Sequence, residues 1–100
     1  MAKIRNKSNR IENISELAKA FLSLKTTGEF EKFMRDLCTL EEIGEMSKRL
    51  EAVKMVSGGV PYREIADKTG LSTTTVSRVA HWLRHGRGGY KLILNRIGKK

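Results

Sequence analysis

The stretch Tyr62–His81, YREIADKTGLSTTTVSRVAH, constrains the fold more than any other part of the chain. Two helices crossing through a short turn need a small residue at the crossing, a turn residue that tolerates positive φ, and apolar residues pinning both helices to a core. Ala66 meets the first requirement and Gly70 the second. Ile65, Leu71, Val76 and Val79 meet the third. All six stand in order within fifteen residues, Ile65 to Val79. The pattern predicts a helix–turn–helix over about residues 62–84. An ordinary αα-hairpin has the same packing needs, so the outward face of the second helix must distinguish the two.

That face carries Thr73, Thr74, Ser77, Arg78 and His81. Short hydroxyl side chains let a helix sit deep in a DNA major groove, where their methyls and hydroxyls meet base edges. Ser72, Thr73 and Thr74 open the helix, where free backbone N–H groups and the positive end of the dipole favour phosphate. Ser72 is also a good N-cap. Arg63, in the first helix of the motif, is placed to reach a guanine or a phosphate. Lys68, Arg84, Arg87 and Lys91 suit phosphate better than bases.

Helical spacing continues outside the motif. Ile14, Leu17, Ala18, Phe21, Leu22 and Leu24 predict a first helix, ended by Thr26-Thr27-Gly28. Phe30, Phe33, Met34 and Leu37 predict a short second one. Thr39-Leu40-Glu41-Glu42 matches a capping box and opens a third, with Ile43, Met46, Leu50, Val53 and Val56 as its stripe. Gly58-Gly59 ends it, and Pro61 restricts Val60 and fits the start of a fourth that runs to about Thr69. The fifth runs from Ser72 to about Arg84. His85-Gly86-Arg87-Gly88-Gly89 reads as a loop, and Tyr90, Ile93, Leu94 and Ile97 predict a last short helix. No segment alternates with period two. The fold class is therefore all-α with about six helices: a flexible basic arm over residues 1–10 and one helical domain over 11–100.

Charge points to a partner. The chain of 100 residues has a formal charge of +9. Residues 51–100 hold ten Lys/Arg against three Asp/Glu, a net +7, and no acidic residue follows Asp67. Such one-sidedness calls for a polyanion, either nucleic acid or an anionic membrane surface. Apolar residues make up only 39%, below the usual 45–50% or so. A core this thin favours a second subunit.

The stretch Leu37–His85, about half the chain, resembles the tryptophan repressor superfamily, most nearly its YerC/YecD-type branch. LCTLEEIGEMSKRLEAVKMVSGGVPYREIADKTGLSTTTVSRV carries the resemblance: a capped helix, a gap after Arg49, then Arg-Glu-Ile and the motif. The resemblance implies an intertwined helical homodimer that binds double-stranded operator DNA and represses transcription in a bacterial-type cytoplasm, associated with the nucleoid. It also implies an effector pocket, with Thr39, Arg49 and Arg78 at matching positions. Arginines there could pair a carboxylate and stack on an indole. Val79 stands where the tryptophan repressor has a glycine that admits the indole, and Trp82 where it has a serine that meets the ligand's amino group. Both departures argue against L-tryptophan as corepressor, while another small molecule stays open. Simple core packing is the plainer expectation for Trp82.

Other classes find less support. No Gly-rich phosphate loop or nucleophile–base pair is present, so the chain reads as no enzyme. Cys38, His81 and His85 are too scattered for a zinc site, and neither metal nor cofactor is expected. Cys38 reads as a buried apolar residue. No run approaches the ~18 apolar residues of a membrane span. The alternative function is a basic amphipathic module that docks on a protein or membrane surface through the last helix, where Lys91, Arg96, Lys99 and Lys100 flank the apolar positions.

Overall fold

In a computed structural model, residues 12–98 are described, and the structural statements below concern those residues. They form six helices and no strand: α1 (Ile14–Leu22), α2 (Thr27–Leu37), α3 (Leu40–Ser57), α4 (Tyr62–Thr69), α5 (Thr73–His85) and α6 (Gly89–Ile97). This is the all-α class that the apolar spacing predicts. The arm over residues 1–10 and the terminal Lys99 and Lys100 lie outside the described residues. The chain divides after Thr39 into two compact units.

In the first unit, α1 stops at Leu22, two residues short of Leu24. The Ser23 hydroxyl closes it by donating to the carbonyl of Ala20 at 2.7 Å. Thr26-Thr27-Gly28 does not end α1 but opens α2. The Thr26 hydroxyl accepts the Glu29 N–H at 3.0 Å, and the Glu29 carboxylate accepts the Lys25 N–H at 2.8 Å. This is a capping-box pattern, displaced by one residue at its reciprocal bond. Phe21 joins the helices edge-to-face with Phe30 and Phe33, at centroid distances of 6.1 and 5.7 Å. Cys38, half-buried, caps the end of α2.

The second unit holds the core. Ala52, Val53 and Val56 of α3, Ile65 of α4, Leu71 of the turn and Val76, Val79 and Ala80 of α5 are buried together. Val53, Ile65 and Val76 form its fully enclosed centre. Burying a side chain of this size contributes about 1.5–3 kcal/mol. Only the C-terminal half of α3 takes part. Met46 and Leu50, predicted on the same stripe as Val53 and Val56, are exposed. At 18 residues α3 is about 27 Å long, longer than the short helices α4 and α5 packed on it.

The turn of the motif has two causes. Gly70 adopts φ +84°, with its N–H bonded to the Ala66 carbonyl at 2.9 Å. Nothing crowds a Cβ there, the nearest atom being the Lys48 ammonium 3.7 Å away, so backbone conformation alone selects glycine. Thr69 supplies the second cause. Its buried hydroxyl donates to the Ile65 carbonyl at 2.7 Å and accepts the Leu71 N–H at 3.2 Å. After the turn, Ser72 caps α5 as predicted, accepting the Thr75 N–H at 3.0 Å. His85 and Gly89, predicted as loop, are the last residue of α5 and the first of α6. Between them Gly86 is required for space, because a Cβ there would collide with the Trp82 carbonyl oxygen.

Candidate nucleic-acid interface

The helix α5 has two sides with opposite chemistry. At about 100° per residue, Thr73, Thr74, Ser77, Arg78 and His81 fall within an arc of about 140°. All five are exposed. Val76, Val79 and Ala80 point the other way into the core. The core thus fixes the rotation of α5 and presents the predicted face as a whole. That face carries hydroxyls, one guanidinium and one imidazole, a donor-rich set suited to acceptor atoms such as base edges and phosphate oxygens. The His81 ring lies 5.1 Å from that of His85 and 5.2 Å from that of Trp82, centroid to centroid.

The remaining predicted contacts lie around this face with different degrees of freedom. Arg63, exposed in the first turn of α4, points to solvent. The Ser72 hydroxyl is engaged in capping: besides the Thr75 N–H it donates to the Thr75 hydroxyl at 3.0 Å. What Ser72 offers outward is therefore the helix end rather than its side chain. Lys68 pairs with Glu64 one turn back at 3.1 Å. Both members are half-exposed, so the pair is weak and easily exchanged for another anion. Arg84 donates from Nη1 to the Tyr62 hydroxyl at 2.9 Å, a bond spanning 22 residues. Arg87, exposed in the α5–α6 link, borders an apolar cleft of about 390 Å³ with Leu50, Trp82, Tyr90 and Ile93.

Four of the five predicted pocket residues come together. Arg49, Arg78, Val79 and Trp82 line a cleft of about 260 Å³, joined by Thr75 and Tyr90. The fifth, Thr39, is the last residue of the first unit. Arg78 thus borders both the outward face and the cleft. The expectation that Trp82 is core-packed is corrected: its side chain is 56% exposed. The reason is angular. Position 82 lies about 120° round the helix from Val76, on the flank rather than on the buried side. Thr75 and Tyr90 escaped the sequence reading. Thr75 shares that flank with Trp82 and Arg78, which helix arithmetic could have revealed. Tyr90 arrives from α6, and no local pattern announces it. Among the described residues, no group of three or more His, Cys, Asp or Glu is placed to hold a metal ion.

The family profile described as Trp repressor protein matches residues 12–98. The chain belongs to the Trp repressor family. Within it, the chain is 39% identical over 88 residues to the uncharacterized protein YerC of Bacillus subtilis (strain 168), covering 88% of this chain and 85% of that protein. Among solved structures, a TrpR-like protein of Eubacterium eligens ATCC 27750 is 40% identical, with a TM-score of 0.84 over 91% of this chain and 96% of the other. A candidate Trp repressor of Staphylococcus aureus is 38% identical, with a TM-score of 0.83 over 91% of each chain. The Trp repressor family is one of DNA-binding helix–turn–helix regulators rather than enzymes. No helix among the described residues is long and apolar enough to cross a membrane.

Proposed function

We propose that the chain is a sequence-specific regulator, a transcriptional repressor, that inserts α5 into the major groove of operator DNA as a homodimer. The observation that carries this reading is the exposed arc of Thr73, Thr74, Ser77, Arg78 and His81 opposite the buried side of α5. Arg63 and these five read bases. Lys68, Arg84, Arg87 and the N-terminal end of α5 at Ser72 hold phosphates. Two copies related by a two-fold axis meet half-sites about one helical turn apart. The exposed apolar residues Ile14, Leu17, Leu22 and Leu37 support a second chain as the surface that covers them. In this reading the protein works in the cytoplasm, on the nucleoid.

The effector cleft follows the same reasoning. Val79 adds bulk at its floor and Trp82 brings an indole of its own, so L-tryptophan is not the corepressor. The four converging residues form a narrowed site that works without ligand or with a smaller one. Micromolar L-tryptophan binding in calorimetry would overturn this.

The experiment is selection of bound duplexes from a random pool, followed by binding of the selected and a scrambled duplex over a salt series. Thr74→Ala is expected to change the selected sequence while sparing affinity for scrambled DNA. Arg87→Ala is expected to weaken both and flatten the salt dependence by about one unit of slope. A competing role at membrane surfaces rests on exposed Leu92, Ile93 and Ile97 of α6 beside Lys91 and Arg96. Co-sedimentation with anionic vesicles at concentrations that give no gel shift would favour it.

A further inference from the structure

The bond between Tyr62 and Arg84 ties the first residue of α4 to the last turn of α5, at opposite ends of the motif. Tyr62 is half-buried and packs against the core, so its hydroxyl is a fixed acceptor. Arg84 is exposed, and the ion pairs among the described residues, Lys19–Glu16 and Lys68–Glu64, do not involve it. A neutral acceptor restrains a guanidinium while leaving its charge intact, and the other four N–H donors stay available. Around α5, Arg84 falls within about 20° of Thr73, and along the axis about 16 Å beyond it. A recognition helix touches bases with its N-terminal residues. A cation on the same side three turns later stands where the helix leaves the groove and meets the sugar–phosphate backbone.

We propose that Tyr62 is a positioning residue for DNA binding, presetting Arg84 to receive a backbone phosphate at the C-terminal end of α5. This rests on the reading of α5 as the groove-entering helix and adds a residue to it that does not itself touch DNA. Presetting removes the cost of ordering a long, flexible side chain at the moment of contact. A bidentate guanidinium–phosphate contact also depends on orientation, which a free arginine lacks.

The test is a double-mutant cycle on the full chain, binding the selected duplex over a salt series, with melting temperature recorded for each variant. Arg84→Ala is expected to weaken binding and lower the salt slope by about one. Tyr62→Phe keeps the ring and its packing. It is expected to weaken binding roughly three- to tenfold with the salt slope unchanged, because the charge remains. In the Arg84→Ala background, Tyr62→Phe is expected to cost nothing further. An equal cost in both backgrounds overturns the positioning role and assigns Tyr62 to packing. Unchanged binding by Arg84→Ala overturns it by a different route, removing the phosphate contact itself.

Discussion

The two units handle apolar surface in opposite ways. In the second, valine, isoleucine and alanine from α3, α4 and α5 close around Val53, Ile65 and Val76. In the first, α1 and α2 carry equally regular apolar faces, yet Met34 is the one buried side chain among their described residues. Leu22 is 85% exposed. Regular spacing therefore marks a face meant for burial without saying which chain buries it. The second unit finds its complement within itself, and its core aims α5. The first presents a complement still to be met, which is the physical basis for expecting a homodimer.

Breaking the second unit should have the largest effect. Ile65→Ala empties the centre of the core and is expected to cost about 2–5 kcal/mol in chemical denaturation. Leu17→Glu tests the other side of the comparison. A carboxylate on the α1 face is expected to weaken the proposed dimer roughly a hundredfold, read by light scattering as a fall toward the 11.3 kDa of one chain. A wild-type mass of one chain at micromolar concentration would break the comparison outright. Gly70→Ala forces an L residue into positive φ without a clash and is expected to cost about 1–2 kcal/mol. Ser72→Ala removes the α5 cap, at about 1 kcal/mol. Lys68→Ala breaks only the exposed pair with Glu64 and should shift stability by less than about 0.5 kcal/mol. Melting curves rank these last three.

Much of the motif was legible because its requirements are local. Gly70, Leu71 and Ser72 are dictated by the turn and the cap within three consecutive positions. Ile65, Val76 and Val79 follow from period 3.6. What stayed hidden depends on partners or angles that a stripe of apolar letters does not encode. Thr26 looked like a helix breaker because its bond to Glu29 lies three residues ahead. The apolar character of Trp82 points to the core, while its angular position on α5 puts it on the flank. Met46 and Leu50 read as buried because a stripe does not reveal how far along α3 its neighbours reach. The hydrogen bond from Arg84 to Tyr62 crosses 22 residues and has no sequence signature. Of the five proposed effector-pocket residues, which only resemblance suggests, four converge on one cleft, and Tyr90 joins them only through the packing of α6.

The buried hydroxyl of Thr69 has a consequence for the proposed DNA binding. By bonding both the last turn of α4 and the start of the Leu71 segment, it stiffens the turn from which α5 departs. A recognition helix on a stiffer turn passes more of any misfit to the duplex. The energy of bending or twisting DNA depends on its sequence. In the proposed dimeric complex, base pairs between the half-sites should then discriminate among duplexes through their stiffness.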